Sequence, residues 1–164
     1  MTYKLETVKI LLVEDMEPML ILTRSILDIF GFKNILVARS GEEAFKICVK
    51  ENPDLILTDW IMGSMGGMEL IEKIRKDPKS PNPYVPIILM TGYTNRARVE
   101  HARDEGITEF LAKPYTSKDL YNRIVQIIEK PRQFVRNKEF FGPDRRRRSD
   151  ADYEGETKRG SDKK

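Results

Sequence analysis

Five short runs of branched apolar residues alternate along this chain with longer segments of helical periodicity. We expect the short runs to be β-strands, over residues 9–13, 35–38, 54–58, 86–90 and 109–112. We expect helices over residues 17–30, about 41–51, about 68–76, 95–105 and about 117–130. Short strands that are apolar throughout are typical of a sheet covered on both faces. The alternation therefore predicts an α/β domain with a parallel sheet.

Right-handed connections would place the helices on both faces of this sheet. Five strands in a domain of this size match the flavodoxin-like strand order 2-1-3-4-5. Proteins with this strand order bind ligands at the carboxyl ends of strands 1 and 3. We expect this domain to cover residues 7–130. The remaining residues, 131–164, are polar and poor in branched apolar side chains, so we expect a disordered tail.

The charge of the chain is concentrated in the tail. The net charge is +3, but residues 131–164 contain 11 Lys and Arg against 7 Asp and Glu, which leaves 18 against 19 in the rest. A basic tail on a nearly neutral domain favours an anionic ligand. No apolar run approaches the roughly 20 residues of a membrane span. Since the first residues also lack a secretory signal, we expect a cytoplasmic protein.

Acidic side chains follow two of the predicted strands. Glu14 and Asp15 follow the first strand, and Asp59 follows the third. Because parallel strands end at the same edge of a sheet, we expect these carboxylates to converge and to repel one another. A hard cation such as Mg2+ would remove this repulsion, since it prefers oxygen ligands. The backbone carbonyl of Ile61 is a further candidate ligand.

Two more polar residues follow the other strands of the predicted site. Thr91 comes after strand 4 and Lys113 after strand 5. In this setting Asp59 can act as a nucleophile that accepts a phosphoryl group. The cation and Lys113 would offset the charge on the transferred group, and the Thr91 hydroxyl could donate to one of its oxygens.

Each of these residues also has an ordinary explanation. Glu14 and Asp15 together could cap a helix, Asp59 could be a simple strand-end acid, and Thr91 could cap a turn. Lys113 followed by proline is a common loop dipeptide. Their joint occurrence at four separate strand ends favours a shared site.

Four motifs carry a resemblance to a known family. They are Leu12-Val13-Glu14-Asp15, Leu57-Thr58-Asp59-Trp60-Ile61-Met62, Met90-Thr91-Gly92 and Ala112-Lys113-Pro114. Over residues 9–130 the chain resembles the CheY-like receiver domain of two-component response regulators. The resemblance implies that a histidine kinase or phosphotransfer protein phosphorylates Asp59 in a Mg2+-dependent reaction. It also implies that Thr91 moves together with an aromatic switch residue, here Phe110, which can be a core residue as well.

One departure from the family lies after the phosphoacceptor position. The family often has proline where this chain has Gly63, and two more glycines follow at residues 66 and 67. We therefore expect a looser loop, which bears on the rate of phosphorylation more than on its site.

The tail contains an arginine run, Arg145, Arg146, Arg147 and Arg148, close to Phe140 and Phe141. Guanidinium groups bind phosphates through two hydrogen bonds and stack on planar bases. Asp150 completes an Arg-x-x-Asp pattern and could accept hydrogen bonds from a guanine edge. These features suit a ligand that has both phosphates and bases.

The tail resembles that of the Cle proteins, which are CheY-like effectors of cyclic di-GMP with an arginine-rich extension. The resemblance implies that the arginine run binds cyclic di-GMP and that the flagellar motor switch is the protein partner. Two alternatives stay open: a solvated tail without a specific ligand, and nonspecific binding to anionic lipid or, less favoured, to nucleic acid.

Three functions are compatible with these patterns. We favour a stand-alone response regulator of chemotaxis or motility that binds cyclic di-GMP, because residues 131–164 are too few for a second core. The second is an ordinary phosphorelay receiver with an incidental tail. The third is a small enzyme of the same architecture, either a flavin carrier or a phosphatase with an aspartyl nucleophile. Glu14 and Asp15 would repel the phosphate of a flavin, and Ile61 stands where the phosphatase needs a second acid. We therefore expect no enzymatic turnover.

Overall fold

The computed structural model describes residues 5–60, 62, 65–92, 96–129, 134–136 and 141–143. After a short 3-10 helix, the strands of the main sheet are β1 (Lys9–Val13), β2 (Asn34–Ala38), β3 (Leu55–Asp59), β4 (Ile87–Thr91) and β5 (Glu109–Ala112). The helices are α1 (Glu17–Phe30), α2 (Gly41–Glu51), α3 (Gly67–Lys76), α4 (Arg96–Asp104) and α5 (Ser117–Glu129). Two further strands, β6 (Phe134–Arg136) and β7 (Phe141–Pro143), follow α5.

The main sheet has the strand order β2-β1-β3-β4-β5, and all of its neighbouring strands are parallel. The predicted fold class and strand order are therefore confirmed. The register pairs Val13 with Thr58, Asp59 with Met90, and Thr91 with Ala112. This register brings the carboxyl ends of β1, β3, β4 and β5 to one edge of the sheet.

The core consists of two apolar layers, one on each face of the sheet. Leu11 and Val13 of β1 belong to a layer that also contains side chains of α2, α3 and α4. Their neighbours Ile10 and Leu12 belong to the opposite layer, with side chains of α1 and α5. This alternation follows from the two-residue period of a strand. Both faces are apolar because both are covered by helices.

The amino-terminal ends of α1 and α2 are capped differently. The N-cap of α1 is Met16, and no side chain caps this helix, so Glu14 and Asp15 are not its capping residues. Ser40 caps α2, since its hydroxyl accepts a hydrogen bond from the Glu43 N–H at 3.1 Å. The Glu43 carboxylate bonds the N–H of Arg39 at 2.9 Å, one residue before the cap.

The tail differs from the predicted disorder in one stretch. Strands β6 and β7 pair in an antiparallel manner, with Val135 opposite Gly142, and Pro143 is buried. Aromatic and β-branched residues favour strands, and the four residues between them are a common length for a hairpin connection. The arginine run at residues 145–148 and Asp150 lie outside the described residues.

None of the helices in the described part of the chain is long and apolar enough to cross a membrane.

Candidate functional site

Three carboxylates meet at the carboxyl edge of the sheet. Glu14 follows β1 directly and is 1% exposed, whereas Asp15 beside it is exposed. Asp59 is the last residue of β3 and is 8% exposed. One oxygen from each of these carboxylates lies within 4.8 Å of the other two. The structure thus brings together the three acids that the strand ends predict.

Lys113 lies between two of these acids. Its Nζ is 3.0 Å from Oδ1 of Asp59 and 3.6 Å from Oε1 of Glu14. The backbone N–H of Lys113 donates to the carbonyl of Thr91 at 2.8 Å, so the neighbouring strand fixes the start of this loop. The peptide bond between Lys113 and Pro114 is cis. Through its contacts with Asp59 and Glu14, the Lys113 ammonium group neutralises part of the negative charge of the cluster.

Burial and charge shift the ionisation of this cluster. Burial raises the pKa of Glu14, and the nearby charge of Asp59 raises it further, although Lys113 opposes both. For Lys113, burial acts to lower the pKa, but the hydrogen bond and charge of Asp59 outweigh it and the net shift is upward. Negative charge is thus in excess at this edge of the sheet.

The donor set fits a divalent cation. Carboxylate oxygens are the ligands that Mg2+ prefers, and one of the acids, Asp15, is open to solvent. Binding of a cation would relieve the repulsion that raises the pKa of Glu14. Ile61, whose carbonyl the sequence suggests as a further ligand, lies outside the described residues.

Asp59 is held by donors on two sides. Its Oδ1 accepts hydrogen bonds from the backbone N–H of Trp60 at 2.9 Å and from the Lys113 ammonium at 3.0 Å. These contacts fix the orientation of the carboxylate. A nucleophile that is already oriented loses little entropy when its donor arrives.

Thr91 and Phe110 lie on the same face of the sheet. Thr91 is the last residue of β4 and is 3% exposed, and it pairs with Ala112 of β5. Phe110 is two residues before Ala112, is half-buried, and packs against the apolar layer of α2, α3 and α4. Alternate residues of a strand share a face, so the two side chains lie on the same side of the sheet. The concerted movement implied by the resemblance stays a prediction.

Two polar features, one near the site and one away from it, have no counterpart in the sequence analysis. The hydroxyl groups of Thr23 in α1 and Tyr115 after β5 are hydrogen-bonded to each other. The position of Tyr115, two residues after Lys113, is the one available sequence signal. Away from the site, the buried guanidinium of Arg75 donates to the carbonyls of Gly106, Pro83 and Val85 at 2.9, 2.8 and 2.7 Å. No local pattern predicts this second arrangement.

Cys48 is a buried free cysteine of α2. It is 3% exposed, and burial raises the pKa of its thiol to about 12. A thiol in this environment stays protonated and unreactive at neutral pH.

Similarity to known proteins agrees with this geometry. Residues 10–125 match the response regulator receiver domain. The chain is 30% identical to the chemotaxis protein CheY of Pseudomonas aeruginosa, over 74% of this chain and 97% of that protein. It is 31% identical to a chemotaxis protein CheY homolog of Campylobacter jejuni, over 73% of this chain and 92% of that protein.

Solved structures of similar proteins have the same fold. A CheY-like receiver domain protein of Methanospirillum hungatei superposes with a TM-score of 0.67 at 27% identity, over 76% of this chain and 96% of that one. The receiver domain of the sensor histidine kinase PA1611 of P. aeruginosa gives a TM-score of 0.64 at 27% identity, over 73% and 94%. That structure holds a magnesium ion in its active site cleft. The chain described here belongs to the response regulator receiver domain family, whose members are signalling modules.

Proposed function

We propose that this chain is a response regulator that accepts a phosphoryl group on Asp59 in a Mg2+-dependent reaction. One observation carries the proposal: the Lys113 ammonium lies 3.0 Å from the Asp59 carboxylate, beside a cluster of three acids. An oriented nucleophile, a fixed positive charge and a set of hard oxygen ligands are the parts that phosphoryl transfer to a carboxylate needs.

The residues divide the reaction between them. Glu14, Asp15 and Asp59 would hold Mg2+, which supplies positive charge to the phosphoryl oxygens when bound. A carboxylate oxygen of Asp59 forms the new bond to phosphorus as the bond to the leaving group breaks, and the leaving group takes the electron pair. Lys113 offsets the charge on the transferred group, and the hydroxyl of Thr91 donates to one of its oxygens. Phe110 would follow the movement of Thr91.

The phosphoryl donor would be a histidine kinase or a phosphotransfer protein. Two similarities support this choice. A histidine kinase of Formosa agariphila contains a segment 33% identical to this chain over 120 residues. The receiver domain of PA1611 also belongs to a sensor histidine kinase, and its bound magnesium supports Mg2+ as the cation here.

Acetyl phosphate with Mg2+ tests the phosphoacceptor assignment. We expect the intact protein to gain the mass of one phosphoryl group, and Asp59→Asn to abolish this gain. Asp28→Asn, at an exposed position of α1, is the matched control and should be labelled like the wild type. Labelling that persists in Asp59→Asn would place the phosphoryl group elsewhere and reject the assignment.

We further propose that the tail binds cyclic di-GMP and that the protein acts on the flagellar motor switch. The support is the run Arg145–Arg148 with Asp150 two residues beyond it. Guanidinium groups recognise both the phosphates and the guanine bases of such a ligand. Similarity to chemotaxis proteins supports a role in motility. Residues 7–130 would be the receiver and residues 131–164 the ligand-binding tail.

Calorimetry with cyclic di-GMP tests the role of the tail. We expect heat of binding with the full chain and none with a chain that ends at residue 130 or has the four arginines replaced by alanine. Replacing Lys163 and Lys164 by alanine removes two tail charges outside the run and should leave the affinity within about twofold at fixed ionic strength. Equal heats for all variants, or an equal response to an unrelated RNA, would reject specific binding.

An ordinary receiver with an incidental tail is the competing function. In that case Asp59→Asn would abolish the effect on motility, whereas replacement of the four arginines would leave motility unchanged. Our proposal requires both variants to alter motility.

A further inference from the structure

A hydrogen bond connects α1 to the loop that follows Lys113. It joins the hydroxyl groups of Thr23 and Tyr115. Thr23 is 1% exposed and lies on the core-facing side of α1, between Leu20 and Leu27. A buried hydroxyl without a partner costs free energy, so the Thr23 hydroxyl depends on Tyr115 or on a nearby carbonyl.

Tyr115 is close to the charged site as well as to α1. It follows Lys113 by two residues and packs against the apolar layer of α1 and α5. Burial raises the pKa of its hydroxyl, while the bond to Thr23 and the charge of Lys113 lower it and Glu14 and Asp59 raise it. The side chain is therefore near enough to all three charged residues to feel their fields.

The position of Lys113 depends on how this loop is held. On its amino-terminal side the Lys113 N–H bonds Thr91 at 2.8 Å. On its carboxyl-terminal side the chain passes through Pro114, which has no N–H to donate, and reaches Tyr115. The Tyr115 hydroxyl then attaches the loop to the middle of a helix that packs on the sheet.

We propose that Tyr115 is a positioning residue for Lys113, and that its hydrogen bond to Thr23 holds the ammonium group between Asp59 and Glu14. This proposal rests on the proposed phosphorylation of Asp59. Small displacements of a charged group in such a site lower the rate strongly. A ring without the hydroxyl would fill the same apolar space, so packing alone does not require tyrosine here.

The test uses Tyr115→Phe and Thr23→Val in the full chain. With acetyl phosphate and saturating Mg2+, we expect each variant to be phosphorylated about threefold to tenfold more slowly, and the double variant to be no slower than either. Thr23→Ser keeps the hydroxyl and should retain nearly the wild-type rate. Additive losses in the double variant, or an unchanged rate in Tyr115→Phe, would reject the proposal.

The same substitution in a Lys113→Gln protein distinguishes a positioning effect on Lys113 from a general loss of stability. If Tyr115 acts through Lys113, Tyr115→Phe should cause no further loss in a Lys113→Gln protein. An equal loss in both backgrounds would mean a structural role only.

A third measurement does not depend on phosphorylation. In a crystal structure of Tyr115→Phe, we expect the Lys113 Nζ to move away from Asp59 Oδ1, and a distance retained at 3.0 Å would overturn the proposal. A wild-type protein that is not labelled on Asp59 would instead reject the proposed function, whatever this distance is.

Discussion

Glu14 is a buried carboxylate next to a second carboxylate, Asp59. Its Oε2 accepts a hydrogen bond from the N–H of Met16 at 3.2 Å, and its Oε1 is 3.6 Å from Lys113 Nζ. Burial and the charge of Asp59 nevertheless raise its pKa. The ionised form of Glu14 therefore destabilises the folded protein, unless a cation is bound.

Replacing Glu14 by glutamine should separate stability from metal binding. A raised folded pKa means that the ionised acid destabilises the fold, so wild-type stability falls as pH rises from the ordinary value of 4.5 through the raised pKa. In the presence of a chelator, urea unfolding at pH 7 should show Glu14→Gln to be more stable than the wild type. Its Mg2+ affinity should fall about tenfold or more, which titration calorimetry measures.

Glu72→Gln, at an exposed position of α3, is the control and should change neither quantity. A Glu14→Gln protein that is less stable than the wild type in chelator would contradict the assigned direction of the pKa shift.

The sequence predicts the residues of the site better than their contacts. Glu14, Asp59 and Lys113 are recognisable because each directly follows or ends an apolar strand, and parallel strands share an edge. The bond between Thr23 and Tyr115 is not recognisable, because it joins two residues far apart in the chain. No periodic pattern encodes such a pair.

At the scale of elements, strand positions follow from the sequence to within about one residue. Asp59 and Thr91 are the last residues of β3 and β4, whereas the apolar pattern ends one residue earlier. Because Asp59 and Thr91 have polar side chains, the apolar pattern does not show that the hydrogen bonding between strands extends to these two residues. Strands β6 and β7 are three residues each, too short for a detectable alternation.

The start of α3 lies directly against the end of β3. A Cβ on Gly67 would be 2.3 Å from the carbonyl oxygen of Asp59, and the Gly67 N–H donates to the carbonyl of Trp60 at 2.8 Å. We expect Gly67→Ala to lower the free energy of unfolding by about 1–3 kcal/mol, although alanine normally favours helices. Urea denaturation measures this loss.

Gly92→Ala is the matched control, since a Cβ there would meet no atom within 4 Å. Similar stabilities for the two variants would mean that α3 shifts freely away from Asp59.

Arg75 joins three segments at the opposite edge of the sheet. Its guanidinium is 3% exposed and bonds the carbonyls of Gly106, Pro83 and Val85. Arg75→Met would leave these buried acceptors without their donor, so we expect a loss of about 3 kcal/mol in urea denaturation. Lys76→Met, at the exposed neighbouring position, should change stability by less than about 0.5 kcal/mol. Equal effects would contradict the role of Arg75.

At the scale of the whole molecule, the fold follows from the alternation of strands and helices, but the tail's ligand does not. Both faces of the sheet are apolar, and few arrangements other than a doubly covered parallel sheet bury them. The arginine run does not constrain its ligand in this way, because a run that is only solvated can have the same sequence as a run that binds a ligand. Its specificity therefore requires a binding measurement.

Mg2+ should stabilise the whole molecule by mass action. A ligand present at about 100 times its Kd adds about 2.7 kcal/mol, so the midpoint of thermal unfolding should rise with Mg2+ and return when a chelator is added. Asp15→Asn should reduce this shift, whereas a chain that ends at residue 130 should retain it. A shift that survives in Asp15→Asn undiminished would place the cation elsewhere.

Lys113 determines the net charge of the cleft. Three carboxylates and one ammonium leave two uncompensated negative charges, which a single divalent ion neutralises. A phosphorylated aspartate carries about two negative charges where the free side chain carries one. With bound Mg2+ the cleft would thus be electroneutral, and the proposed phosphorylation of Asp59 would add an excess negative charge. That excess would attract any hydroxyl or amide dipole able to turn toward it, and phosphorylation would in this way displace the surrounding strands.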